Sequence, residues 1–230
     1  MSNELLWLLF ALVNFILITA AYKLFGKPGL FAWIAMGTIL ANIQVVKSIE
    51  LSVAGFVLYA TLGNIMYGTL FLVTDALGEK YGKKDAKKAV MIGFFSLLAT
   101  LIIMQFAILF EPSSEDIAQG SLETLFGIMP QIAGASLAAY LVSQLLDVYL
   151  FGRIKAKLPG DKWLWVRNNG STLVSQLIDT LVFVPLAFMG WVPWDIIIEI
   201  GITTYLIKVV VAALDTPFVY WIKSIKPMTE

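Results

Sequence analysis

Long apolar runs separated by short polar ones set the plan of this chain. Seven stretches approach the ~17–25 residues that a helix needs to cross a bilayer. They are Leu5–Tyr22, Leu30–Val46, Leu51–Thr74, Ala89–Phe110, Leu125–Phe151, Thr172–Trp191 and Ile197–Trp221. The third begins almost directly after Ser48, so the second and third are predicted to form a tight hairpin. A six-span alternative demotes the first stretch or makes the second re-entrant. Within the runs, polar residues recur at steps of three or four, which puts them on one face of a helix. Asn64, Tyr67/Gly68, Phe71 and Asp75 form such a stripe. So do Tyr140, Ser143/Gln144 and Asp147; Thr172, Ser175/Gln176, Asp179 and Phe183; and Thr204, Lys208, Ala212 and Asp215. The pattern predicts an all-α fold: a polytopic integral membrane helix bundle of six or seven transmembrane helices, a single transmembrane domain over residues 1–230.

Two of these stripes carry the same motif. Ser143-Gln144-Leu145-Leu146-Asp147, with Phe151 four residues on, recurs 32 positions later as Ser175-Gln176-Leu177-Ile178-Asp179, with Phe183 four residues on. On a helix turning ~100° per residue, Ser, Gln and Asp of each copy share one ~100° sector. A carboxylate in a membrane helix costs ~2.5–3.5 kcal/mol on insertion scales, so its default reading is functional. The bland alternative is helix–helix glue, since Gln and Asp hydrogen-bond between packed helices without any ligand. Gly134 with Ala138, and Ala135 with Ala139, give the fifth span two small-residue faces for close helix packing.

Charge distribution orients the chain. Lysine and arginine concentrate on alternate loops: Lys23 and Lys27; Lys80, Lys83, Lys84, Lys87 and Lys88; Arg153, Lys155, Lys157, Lys162 and Arg167; and Lys223 and Lys226 in the tail. The intervening loops are acidic, with Glu111, Glu115, Asp116 and Glu123 in one and Asp195 and Glu199 in another. The positive-inside rule then puts the N-terminus outside and the C-terminus in the cytoplasm, which favours seven spans. The start, Met1-Ser2-Asn3-Glu4, lacks the basic flank of a cleaved signal, so the first helix is expected to be retained. By this topology Asp75, Asp147, Asp179 and Asp215 lie in the inner half of the membrane, on four helices.

Composition narrows the chemistry. The chain is 59% hydrophobic and 14% charged, against about 25% charged in a soluble domain. It has no cysteine and no histidine, which removes disulfides, thiol chemistry and the usual zinc sites. No cofactor or metal is expected, and any proton must be carried by carboxylates. Lys208 needs an acidic partner, and the candidates are Asp215, two turns on along the same face, and Asp179. Glu79 reads as a helix-end carboxylate paired with nearby lysines, whereas Asp75 lies deeper. Carboxylates and primary amides beside aromatic rings suit a planar hydrogen-bonding ligand. A guanine-like base fits: one carboxylate accepts from its ring N–H and amine, an amide satisfies its carbonyl, and Phe and Tyr stack on its ring.

Gly63-Asn64, Thr74-Asp75 with Glu79-x-Tyr81-Gly82, and the paired Gln-x-x-Asp-x-x-x-Phe motif with Arg167 before its second copy resemble the queuosine precursor transporter family (the VUT family). The resemblance covers nearly the whole chain. It implies a small protein of the cell (inner) membrane that imports 7-deazaguanine compounds for queuosine, a tRNA modification. By it, Asn64, Asp75, Glu79, Gln144, Asp147, Arg167, Gln176 and Asp179 match motif positions. The substrate-binding set expected is Asn64, Tyr67, Asp75, Gln144, Asp147, Gln176, Asp179 and Phe183, in a midplane-to-inner pocket. Glu79, Arg167, Lys208 and Asp215 are expected in structural or coupling roles. The partners expected are the small-molecule substrate and the lipid bilayer, with no nucleic acid and with a homodimer left open.

The expected mechanism is secondary transport. No Gly-x-x-x-x-Gly-Lys-Ser/Thr loop is present, so ATP is not used by that route. A substrate-binding subunit of an ATP-driven vitamin-type uptake system is the alternative. An intramembrane aspartyl hydrolase is the rival from the enzyme class, but the residues flanking Asp147 and Asp179 do not resemble those of such proteases, so no enzyme activity is expected.

Overall fold

Gly26 turns the first helix back on itself. In the computed structural model, which describes residues 2–53, 56–127, 130–190 and 193–228, helix α1 runs Asn3–Gln44 but is broken at Gly26, where φ is +61°. Only glycine takes that left-handed backbone readily. Pro28 follows, its fixed φ suited to the first turn of the second half. An unbroken helix of this length would span about 63 Å. Instead the Asn3 side chain donates to the Glu50 carbonyl at 3.0 Å and the Ser52 N–H donates to Glu4 at 2.6 Å, so the two halves run antiparallel. They correspond to the first two predicted stretches.

The third predicted stretch is corrected. Ser48–Val53 (β1) and Phe56–Thr61 (β2) form a two-stranded antiparallel ribbon that pairs Ser48 with Thr61, and the helix α2 begins only at Gly63 and ends at Lys80. The alternation Ser-Ile-Glu-Leu-Ser-Val is a strand signal, masked by the apolar run that follows it. Helix α2 is the central element: 15 of its 18 residues are buried.

Helix α3 (Lys83–Leu109) follows after Gly82, whose φ of +88° makes the sharp turn between the two. Much of α3 faces outward, with Phe95, Ile103, Phe106 and Leu109 all more than 60% exposed, as lipid contact requires. A short helix α4 (Gln119–Leu122) runs into a π turn, Glu123–Gly127. Gln105 holds that turn by donating to the Phe126 carbonyl. Helix α5 (Pro130–Lys157), a 3₁₀ turn at Asp161–Trp163, helix α6 (Leu164–Phe188) and helix α7 (Trp194–Ser224) complete the chain. The predicted Leu125 start of the fifth span therefore falls in the π turn, and the sixth helix begins eight residues before Thr172; Trp191 lies outside the described residues.

Helices α5 and α6 pack antiparallel, and Ala135 and Ala139 of α5 are buried. The other small-residue face does not pack: Gly134 and Ala138 are exposed, and a Cβ added at Gly134 meets nothing within 4 Å. Small residues alone do not say which face meets a neighbour. Among the described residues, five helices, α1, α3, α5, α6 and α7, are long and apolar enough to cross a membrane. α2 carries three charged residues in its 18 and is shielded by the others. The result is an all-α bundle of a multi-pass membrane protein, with one β ribbon at one end.

Candidate functional site

Along the bundle axis the buried polar side chains form three layers. The first surrounds Asp179, which is 3% exposed. One of its carboxylate oxygens accepts from the Tyr67 hydroxyl at 2.8 Å and from the Ser143 hydroxyl at 2.9 Å. Its other oxygen pairs with the Lys208 ammonium, which also lies 5.3 Å from the centre of the Tyr67 ring. Thus α2, α5, α6 and α7 each give this layer one side chain. Lys208, deep in α7, is 3% exposed and its partner is Asp179, not Asp215. Burying two ions costs several kcal/mol each, which close pairing and extra hydrogen bonds offset.

This layer forms the floor of a cavity of about 650 Å³, within the range of small-molecule sites. Asn64, Tyr67, Asp179, Phe183 and Lys208 line it from the bundle, and Thr124, Leu125 and Phe126 of the π turn line it from above. Ser48 and Thr61, at the base of the β ribbon, also border it. The cavity therefore lies at the ribbon end of the bundle, away from the ends rich in lysine and arginine.

The second layer is acidic. Asp75 on α2, Asp147 on α5 and Asp215 on α7 are each at most 1% exposed. The Thr172 hydroxyl lies 3.4 Å from an oxygen of Asp75 and 3.4 Å from an oxygen of Asp147. Asp215 accepts from the Asn168 amide at 2.8 Å. Gln144 accepts from the Thr74 hydroxyl at 3.3 Å. The Gln144 amide nitrogen and the Gln176 amide oxygen are buried without a hydrogen-bond partner. A lone buried polar atom of this kind is costly unless something completes it.

The third layer closes the opposite end. Glu79 pairs with Arg167 at 2.8 Å, Lys223 at 2.6 Å and Lys155 at 3.2 Å. Arg167 is fully buried and also donates to the carbonyls of Leu158 and Gly160 at 2.7 and 2.9 Å. Lys80 donates to the carbonyls of Ile222, Lys223 and Ile225, tying α2 to the end of α7. In the turn before α6, the Lys223 ammonium bonded to Asp161 holds that carboxyl below the ordinary carboxylate range.

Of the eight residues expected to bind a ligand, Asn64, Tyr67, Asp179 and Phe183 line the cavity. Asp75, Gln144, Asp147 and Gln176 lie behind its floor in the acidic layer. Glu79 and Arg167 meet at the far end, and Lys208 and Asp215 are split between the first two layers. Sequence reasoning missed Thr172 and Asn168 as members of the acidic layer, although Thr172 begins the α6 stripe. It also missed Lys155 and Lys223 as partners of Glu79.

Residues 61–222 match the family described as "Putative vitamin uptake transporter". A protein of Bacillus subtilis named "Probable queuosine precursor transporter" is 50% identical over 230 residues, 100% of this chain and 99% of that protein. One of Haemophilus influenzae with the same name is 34% identical over 135 residues, 58% of this chain and 54% of its own. The "Queuosine precursor transporter" of Escherichia coli is 26% identical over 181 residues, 76% of each chain. No solved structure matches. Near-complete coverage at half identity, together with the family match over most of the chain, means that this chain belongs to the queuosine precursor transporter (VUT) family, a family of membrane transporters and not of enzymes.

Proposed function

We propose that this chain is a secondary carrier that imports 7-deazaguanine bases, precursors of queuosine, and that Asp179 is the centre of its binding site. The observation that carries this reading is the position of Asp179: a buried carboxylate at the floor of a cavity of about 650 Å³ walled by Tyr67 and Phe183. A deazaguanine presents a ring N–H and an amine as adjacent donors, which one carboxylate accepts together. The Asp179 oxygens accept from Lys208, Tyr67 and Ser143, so binding exchanges some of these donors for those of the base. Asn64, Tyr67 and Phe183 line the cavity, and in this reading the Asn64 amide donates to the base carbonyl while the two rings stack on the base. The names of the relatives supply the substrate class.

The loops rich in lysine and arginine support a cytoplasmic Glu79 end. The C-terminus then lies inside, seven helical segments cross the inner membrane, and the cavity opens outward. The Glu79 cluster is the closed gate of this outward-facing form. Alternating access requires the Arg167, Lys155 and Lys223 contacts to part while the ribbon end closes over the base. The test is uptake of a radiolabelled 7-deazaguanine base into liposomes holding the purified protein. Saturable uptake, competed by unlabelled queuine or its precursors and not by adenine, is expected. Uptake no greater than in empty liposomes contradicts the reading.

A further inference from the structure

The acidic layer brings three buried carboxyl groups together and leaves two of their oxygens without a donor. Around Asp75 stand Asp147 from α5, Thr172 from α6 and Asp215 from α7; around Asp147 stand Asp75 from α2 and Ser171, Thr172 and Ser175 from α6. Lys208 is engaged by Asp179, and Arg167 by Glu79 and two carbonyls. Thr172 has one hydroxyl hydrogen but lies 3.4 Å from both carboxyls, so it donates to only one of them at a time. Among the described residues, the second oxygen of Asp75 and that of Asp147 are buried with no hydrogen-bond partner. A proton placed on either carboxyl lets it donate to the other, which two carboxylates cannot do. A metal ion would ask for a tighter cage, and among the described residues no group of three or more acidic side chains converges to hold one.

We propose that the Asp75–Asp147 pair, bridged by the Thr172 hydroxyl, is the proton-binding site that couples uptake to a proton gradient. This rests on the transport reading above. The pair lies about 10 Å below Asp179 along α6, since Thr172 precedes it by two turns. It is joined to the cavity floor through α5, where Ser143 donates to Asp179 and its neighbour Gln144 accepts from Thr74, next to Asp75. The proton enters from the cavity side, binds one carboxyl oxygen, and leaves toward the Glu79 end when that end opens. One proton then moves inward with each base, and no other bond is made or broken.

The experiment uses purified full-length protein in liposomes loaded with pyranine, with a radiolabelled 7-deazaguanine base outside. For the wild type, an acid-outside gradient is expected to drive accumulation by up to about tenfold per pH unit for one proton. A protonophore abolishes it, and adding base to gradient-free vesicles acidifies the lumen. Asp75→Asn and Asp147→Asn lose accumulation and acidification while still exchanging labelled for unlabelled base. The coupling is overturned if the wild type exchanges base but ignores the pH gradient, if a sodium gradient drives accumulation instead, or if both variants still acidify the lumen. A wild type that exchanges no base overturns the transport reading itself. The wild-type flux decides the matter even if a variant does not fold.

Discussion

The Ser143 hydroxyl donates to the Asp179 carboxylate, 36 residues on, at 2.9 Å. Its counterpart in the second motif copy, Ser175, lies beside Asp147, the aspartate of the first. Each Ser-Gln-x-x-Asp copy thus sets its serine beside the other's aspartate, a local two-fold relation between antiparallel α5 and α6, but only Ser143 makes the hydrogen bond. The two aspartates are not equivalent, however. Asp179 gains Lys208 and Tyr67 and faces the cavity, whereas Asp147 gains Asp75 and is closed off. Ser143→Ala removes one hydrogen bond to a charged group and is expected to cost about 1.5–3 kcal/mol in unfolding free energy. Thermal or denaturant unfolding in detergent checks this.

Lys208→Met tests the ion pair. Removing one partner of a buried pair leaves the other uncompensated and costs about 3–5 kcal/mol. Combining it with Asp179→Asn should recover much of that loss, because no buried charge then stands alone. The double-mutant cycle measures the coupling directly. Additive losses would mean that the two side chains do not interact.

Glu79→Gln tests the closed end. The change leaves the fully buried Arg167 with its two carbonyls but without its carboxylate. A lower melting temperature is expected, with base binding retained and the balance shifted toward inner-end opening. A single cysteine placed at Gly78, beside the gate, should react faster with a thiol reagent in the Glu79→Gln background. Unchanged labelling would contradict the gate.

Gly63→Ala and Gly134→Ala should differ sharply. A Cβ at Gly63 would meet the Ala41 carbonyl oxygen at 2.7 Å and Val45 backbone atoms at 3.0 Å, none of which can swing aside. Overpacking of this kind costs about 1–3 kcal/mol. At Gly134 nothing lies within 4 Å, and alanine favours the helix by up to about 1 kcal/mol. Melting temperatures of the two variants should move in opposite directions.

The helical stripes were legible because buried polar residues in apolar helices must share a face, and the face is fixed by spacing. Asp75, Asp147, Asp179 and Lys208 were all found that way. What spacing does not give is depth order and pairing across helices. Glu79 meets Lys155 and Lys223, 76 and 144 residues away, through contacts that no local pattern carries. The pocket was expected toward the inner half because its carboxylates were counted together. Asp179 instead lies two turns from Thr172 along α6, on the cavity side of the acidic layer. The β ribbon was lost in a continuous apolar run, where hydropathy outweighed the alternation from Ser48 to Val53.

Binding of the base in the cavity over Asp179 underlies the whole transport reading. The most direct measurement is the melting temperature of the purified protein with and without queuine, its two 7-deazaguanine precursors and guanine, for the wild type and Asp179→Asn. A ligand that binds only the folded state, at 100 times its dissociation constant, adds about 2.7 kcal/mol. That corresponds to a rise of roughly 5–10 °C for a chain of this size. Such a rise is expected with a 7-deazaguanine for the wild type, and its loss in a still-folded Asp179→Asn. An equal rise in both proteins, or none with any of these bases, would contradict it.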